Sequence, residues 1–388
     1  MADFRYVPEL NGLRGLAILT VMIYHFMNLS VSLHTSFDIA VNNFFMMGWV
    51  GVDIFFALSG FLITSILLKT KHSATYYSSF YIKRILRIFP LYYLYLAFIF
   101  FAFFPIVYHH LNPAEQQSFK VAEPSQIYFW LYLSNIKQFF QHIFFGAGLG
   151  HIWSLSIEEQ FYLVWPFLVY YLHLKNLKKM LIVVMLLSIV IRAACYFSNV
   201  PGLSIYTFTF TRLDALAYGA FIAAIVQQPV KIIYSRVKIA FKSLLIINIL
   251  LFAIFGPWPN STPVMLIIGF SLIGIMNALL ILILQSEEPS RLKLFFNNGF
   301  LKFWGKYSYA LYLFNPIVKQ ICFKILPPPF LIWGTLLLWD ICFIIFCTLI
   351  TIILALISWN CYEKWFMRIK AKYEKKQHLY LLYENAEL

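Results

Sequence analysis

Charge is what this chain has least of. Only 12% of its 388 residues are charged, while 61% are hydrophobic and 20% aromatic; soluble domains carry about twice that share of charge. That scarcity excludes a soluble globular fold and points to an all-α polytopic membrane protein. Cysteine is also sparse: Cys195, Cys322, Cys342, Cys347 and Cys361 lie in or beside apolar stretches, with no C-x-x-C pair and no histidine at ligand spacing. They read as packed free thiols, so no disulfide framework and no metal site is expected. The chain shows no internal repeat of the kind that builds inverted transporter halves. It also offers no small-residue cleavage site near its first apolar run, which is therefore expected to stay as a membrane helix.

A helix needs about 20 apolar residues to cross the hydrocarbon core. Ten such spans are expected, over 13–32, 48–68, 88–108, 152–173, 180–198, 207–227, 240–258, 264–285, 306–326 and 331–357. The net charge of +14 would suggest a nucleic-acid partner in a soluble protein. Here the lysines and arginines fall mainly in alternate loops, after spans two, four, six and eight and in the tail; of the intervening loops, 33–47, 199–206, 256–263 and 327–330 have none, and only the longest, 109–150, has any, in Lys120 and Lys137. That alternation follows the positive-inside rule, puts both termini in the cytoplasm and makes the basicity a matter of topology, with no nucleic acid implied. One transmembrane domain over 1–365 and a basic cytoplasmic tail over 366–388 are expected, the end of the tail (373–388) being poorly ordered. The loop 109–150 is too short for a domain of its own, and its aromatic stretch 126–145 is expected on or in the outer interface.

A few polar residues interrupt the apolar spans, and these are functional candidates because ionisable groups are costly in lipid. Arg14 and His25 are eleven residues apart, about 1100° around a helix, so they share one face about 16 Å apart. The guanidinium is expected at the cytoplasmic edge and the imidazole near the bilayer midplane. Arg84 and Arg87 stand one turn apart at the same cytoplasmic level, where three guanidinium forks suit a polyphosphate. Span four opens on His151, Ser154 and Glu158 at i, i+3 and i+7, one stripe of a helix, with Glu159 pointing elsewhere. Asp53, Arg212 and Asp214 are expected in the outer third. Arg212 and Asp214 point nearly opposite ways along their helix and each needs another partner, and Arg192 is a candidate for a helix-to-helix ion pair. A phosphorylated donor from the cytosol and an acceptor from outside would use the two levels.

Five segments then occur in order: R-x10-H from Arg14 to His25, R-x-x-R-I-x-P from Arg84 to Pro90, H-x-W-S-L-S-x-E-E-Q-F-Y from His151 to Tyr162, R-L-D-A-L-x-x-G from Arg212 to Gly219, and G-K-Y-S-Y-A-L-Y-L from Gly305 to Leu313. Together they resemble the acyltransferase-3 family of integral membrane O-acyltransferases, in its stand-alone form. The resemblance implies a multi-pass protein of the bacterial inner membrane. It would move an acyl group, most commonly acetyl from acetyl-CoA, to a hydroxyl of a cell-surface carbohydrate such as lipopolysaccharide O-antigen or a lipid-linked glycan. It implies His25 as general base with Glu158 beside it, Arg14, Arg84 and Arg87 on the coenzyme A phosphates, and Asp53, His151, Ser154, Arg212, Asp214 and Asn315 binding or orienting the acceptor. Acetyl-CoA would be a substrate; no tightly bound cofactor is implied. At Asn315 many members have histidine, so a proton-transfer role there would be lost while a hydrogen-bonding one could survive. The competing reading is a transporter for an organic anion.

Overall fold

A computed structural model describes residues 7–27, 36–108, 113–146, 148–228, 232–257, 262–327 and 335–386, and among these the chain is helical with no strand. A long helix occupies each of the ten expected positions: α1 Pro8–Phe26, α2 Val50–Thr70, α3 Tyr76–Phe98, α4 Ile152–Tyr171, α5 Leu174–Phe197, α6 Thr209–Val226, α7 Tyr234–Phe255, α8 Phe270–Leu284, α9 Gly299–Ile325 and α10 Leu337–Ser358. Among the described residues seven helical segments are both long and apolar enough to cross a membrane. The other three positions are α1, α4 and α9, the helices that carry Arg14 and His25, Glu158 and Glu159, and Lys306 and Lys319. Their polarity is the reason they fall behind in hydropathy.

Start and stop signals are local. Pro8 opens α1, where its missing N–H costs nothing. The Asn298 side chain accepts the Leu301 N–H at 2.8 Å to cap α9. α1 packs along α9 and beside α2, α2 along α6, and α6 also against α5 and α8, so α1, α2, α6 and α9 form the interior. α7 is peripheral: 6% of its apolar stretch is buried, against 72% for the stretch that ends in α2.

Two crossings are set by glycine. A Cβ on Gly60 would fall 1.9 Å from the Leu216 carbonyl oxygen, and one on Gly219 would fall 1.9 Å from that of Ala57. The α1–α9 crossing repeats the device, with Gly15 on the Leu301 carbonyl and Gly305 on the Asn11 carbonyl, both at 1.9 Å. With no hydrophobic force between helices in lipid, such backbone approach supplies the packing.

Two buried ion pairs tie the helices together. Arg212 meets Asp53 at 2.6 Å and Arg192 meets Asp214 at 2.8 Å, and all four side chains are at most 1% exposed. Ser271 joins the second pair, donating to Asp214 at 2.7 Å and lying 2.6 Å from Arg192 Nη2. Arg212 lies 4.0 Å over the Phe270 ring. Arg212 and Asp214 thus find separate partners, and Arg192 is the ion-pair member expected of it.

The aromatic loop is anchored to the bundle. Its short helices Gln126–Trp130 and Ser134–Gln141 are tied to the bundle, because Tyr92, Tyr93 and Tyr95 donate to the carbonyls of Phe129, Trp130 and Gly148 at 2.8, 3.2 and 2.7 Å. The basic tail forms a helix α11, Lys364–Ala386, whose first part rests on α3 with Lys83 3.8 Å from Glu374. All five cysteines are free, but Cys342 and Cys361 are exposed on the helix surface rather than packed.

Candidate functional site

The polar residues of α1, α2, α3, α4 and α9 converge on three cavities in file. The first, of about 850 Å³, is lined by Arg14, Arg87, Lys302, Lys306, Trp359 and Glu363. The second, of about 90 Å³, is lined by Arg14, Arg84, Arg87, Ser59, Ser154, Glu158, Tyr162 and Tyr312. The third, of about 300 Å³, is lined by His25, His151, Trp49, Tyr206, Lys319 and Gln320. Arg14, Arg87, Leu62 and Tyr309 belong to both the first and the second, so those two abut. Val52 and Tyr312 belong to both the second and the third and form the wall between them.

The arginines are of two kinds. Arg192 and Arg212 are neutralised in the core. Arg14, Arg84 and Arg87 have no ion pair among the described residues and face a shared cavity, Arg84 lying 5.6 Å over the Tyr162 ring. Three guanidiniums without a direct ion pair at one cavity have the chemistry to suit an anion with several phosphate oxygens. Lys302 and Lys306 add to it and escaped the sequence reading, because as charges at a span's edge they look like anchors.

The stripe on α4 runs along the file of cavities. Glu158 lines the second cavity, its carboxylate accepting from Ser59 at 2.8 Å and from Tyr162 at 3.2 Å. Ser154 stands at the wall, its Oγ 2.5 Å from Tyr312 Oη. His151 lines the third cavity, and its carbonyl accepts from Tyr312 at 3.1 Å.

His25 is held by Asn315: Nδ1 lies 2.5 Å from Asn315 Oδ1. The reason lies in the next residue. Pro316 has no N–H for the Tyr312 carbonyl one turn back, and Asn315 Nδ2 supplies the donor at 2.8 Å while also reaching the Leu311 carbonyl at 2.9 Å. With its nitrogen committed to carbonyls, Asn315 turns its oxygen to the ring. That oxygen only accepts, so Nδ1 carries the proton and a neutral His25 keeps its lone pair on Nε2. Asn315, rather than Glu158, is the hydrogen-bond partner of the imidazole Nδ1.

Asp53, Arg212 and Asp214 are not brought to any of the three cavities, since their ion pairs hold them in the bundle core. Lys319, one helical turn after Asn315 and facing the His25 cavity, was missed although an ammonium inside a span is itself a signal. Among the described residues no group of three or more His, Cys, Asp or Glu could hold a metal ion.

The chain is similar to known proteins over most of its length. It is 28% identical over 325 residues to the peptidoglycan O-acetyltransferase OatA of Listeria monocytogenes, covering 81% of this chain and 50% of that one. A putative O-acetyltransferase of Staphylococcus aureus strain COL is 30% identical over 80% of this chain and 50% of its own. The O-acetyltransferase OatA of Staphylococcus aureus strain NCTC 8325 is 28% identical over 81% of this chain and 51% of its own. The chain thus spans about half the length of the curated relatives it matches. No solved structure matches it. A family model described as an acyltransferase domain matches residues 7–357, taking in the arginine cluster, the α4 stripe and the His25–Asn315 pair, and this polytopic membrane protein belongs to that acyltransferase family.

Proposed function

We propose that the protein transfers an acetyl group from acetyl-CoA to a hydroxyl of a cell-surface carbohydrate, with His25 as general base. The observation that carries this reading is the His25–Asn315 pair, which leaves an imidazole Nε2 basic within a chamber one side chain away from an arginine-lined pocket. Coenzyme A, an anionic polyphosphate on a long arm, would lie with its phosphates against Arg14, Arg84 and Arg87 at the cytoplasmic end, the end that the loop lysines and arginines assign. Its thioester would extend through the second cavity to the wall made by Val52 and Tyr312. A swing of the Tyr312 ring away from Ser154 would join the two chambers.

Chemistry then follows from the tautomer. Nε2 takes the proton of the acceptor hydroxyl as its oxygen attacks the thioester carbonyl, and Nδ1–H stays bonded to Asn315. As the tetrahedral species collapses, the C–S bond breaks and the proton on Nε2 passes to the sulfur, releasing coenzyme A as the thiol. Placement of the base contributes about 10² to 10⁴ in rate. Glu158, held by Ser59 and Tyr162 in the arginine pocket while this ring's Nδ1 is held by Asn315, would balance the guanidinium charge instead. Asp53, Arg212 and Asp214 would act by holding α2, α5, α6 and α8 in register.

For the acceptor, a peptidoglycan sugar is the first to assay, because one relative carries that acceptor in its name; an O-antigen sugar is the second. The test is incubation of the purified protein in nanodiscs with carbonyl-¹³C acetyl-CoA and either a GlcNAc–MurNAc fragment or an O-antigen oligosaccharide, followed by mass spectrometry. A labelled acetyl ester on the sugar with equimolar free thiol is expected. Movement of coenzyme A or an acyl anion across sealed vesicles without any sugar ester would reject transfer in favour of transport.

A further inference from the structure

The wall of the His25 chamber holds a second imidazole with an unusual feature. His151 is only 5% exposed, and neither its Nδ1 nor its Nε2 makes a hydrogen bond of normal distance and angle, although the Leu313 backbone lies near enough to act on the ring. Buried polar groups without a partner are rare because their desolvation goes uncompensated. Its backbone is well fixed, the carbonyl accepting from Ser154 at 3.2 Å and from Tyr312 at 3.1 Å. The ring is also confined, with ring centroids 6.0 Å from Tyr95, 5.3 Å from Tyr312 and 6.4 Å from His25, the last at 75° between planes. A confined imidazole that lines the shared chamber and makes no well-formed hydrogen bond of its own is a group awaiting a ligand.

Three other donors around the chamber are already engaged. Trp49 Nε1 donates to the Pro257 carbonyl at 2.7 Å, Tyr312 Oη to the His151 carbonyl, and Lys319 Nζ to the Met27 carbonyl at 3.3 Å. His151 also sits immediately before the first residue of α4, where the positive end of the helix dipole favours developing negative charge.

We propose that His151 is the electrophile of the transfer: its ring N–H donates to the thioester carbonyl oxygen and stabilises the oxyanion that forms when the acceptor attacks. This rests on the reading of His25 as base. In the step, the acceptor oxygen forms a bond to the carbonyl carbon, the π electrons move to the carbonyl oxygen, and the acceptor proton goes to His25 Nε2. The His151 N–H keeps its proton throughout and only hydrogen-bonds. On collapse the C–S bond breaks, and the proton from His25 goes to the thiolate. Two imidazoles on opposite sides of the reacting carbon would then divide the work, one accepting a proton and one donating a hydrogen bond.

The test uses the full chain in nanodiscs with 1-¹³C-acetyl-CoA, read in two ways. Isotope-edited infrared spectroscopy of the bound thioester, which requires no acceptor, is expected to show the carbonyl band shifted to lower frequency than in solution. The shift should be lost in His151→Ala and kept in His25→Ala. In turnover with the sugar found to accept acetyl, or in thioester hydrolysis, His151→Ala is expected to lower kcat about 10²- to 10³-fold, the loss typical of one missing oxyanion donor. Its KM for acetyl-CoA should change less than threefold, and His151→Gln, which restores an N–H, should recover at least tenfold of the loss. An unshifted carbonyl in the wild type, or a shift unaffected by His151→Ala, overturns the proposal. So does an equal loss in the Ala and Gln variants, which would mark a packing role. Failure in these forms with His25→Ala still inactive leaves the base in place; an active His25→Ala removes the reading beneath it.

Discussion

Replacing Asn315 by leucine removes both an acceptor and a donor, and the two losses report in different assays. The first is the acceptor for His25 Nδ1, at 2.5 Å. A net hydrogen bond of this kind is worth about 1 kcal/mol, and since 1.36 kcal/mol is tenfold in rate, its loss as a tautomer lock lowers kcat about fivefold. The second is the donor for the Tyr312 carbonyl, at 2.8 Å, which Pro316 leaves without a helical partner. A buried carbonyl stripped of its partner costs about 1 to 3 kcal/mol, which appears as lost thermal stability rather than rate. Asn315→Asp separates the two. It keeps an acceptor on Nδ1, and a stronger one, so kcat is expected at or above the wild-type value, but it cannot donate to the Tyr312 carbonyl and shares the stability loss. The assay is initial-rate thiol release at saturating acetyl-CoA beside a melting curve for each variant. Leucine and aspartate variants with equal kcat would refute the tautomer argument.

Three further outcomes are expected. Arg84→Ala removes one unpaired guanidinium from the arginine-lined pocket proposed for the donor phosphates. With charged hydrogen bonds worth about 1.5 to 3 kcal/mol, it should raise the KM for acetyl-CoA about 10- to 100-fold and change kcat less than threefold, a split that steady-state kinetics reads directly. Arg192→Met leaves Asp214 uncompensated at 1% exposure and should destabilise the fold by about 3 to 5 kcal/mol; whatever protein folds should show an unchanged KM for the sugar, and a rise specific to the sugar would return Asp214 to the acceptor site. Gly219→Leu places a side chain where even a Cβ lies 1.9 Å from a carbonyl oxygen, so a protein without a cooperative melting transition is expected, while the exposed Leu163→Ala should melt as the wild type does.

Much of this was legible in the sequence because the membrane makes the grammar strict. Long apolar runs against a background of 12% charge fix where helices lie, and the charges that interrupt them announce themselves. The eleven-residue spacing from Arg14 to His25, and the stripe His151, Ser154, Glu158, needed only the helical period, and the cavities follow both. What sequence could not show is which interior charge meets which. Asp53, Arg212 and Asp214 look as functional as Arg14 until the fold reveals carboxylates on two arginines and none on the other three. The partner of His25 was equally hidden, since Asn315 lies 290 positions away and its role depends on a carbonyl freed by the neighbouring proline. What ties the loop 113–146 to the bundle was hidden too, since the tyrosine hydroxyls of α3 that reach its carbonyls carry no sequence signal.

The central claim is that the His25 imidazole deprotonates the acceptor. Its most direct measurement compares single-turnover acetyl transfer by His25→Ala and wild type, both loaded with labelled acetyl-CoA to the same measured occupancy. The account predicts that the variant binds the thioester normally and transfers it at least 10²-fold more slowly. A variant that binds and transfers within a few-fold of the wild type would contradict it.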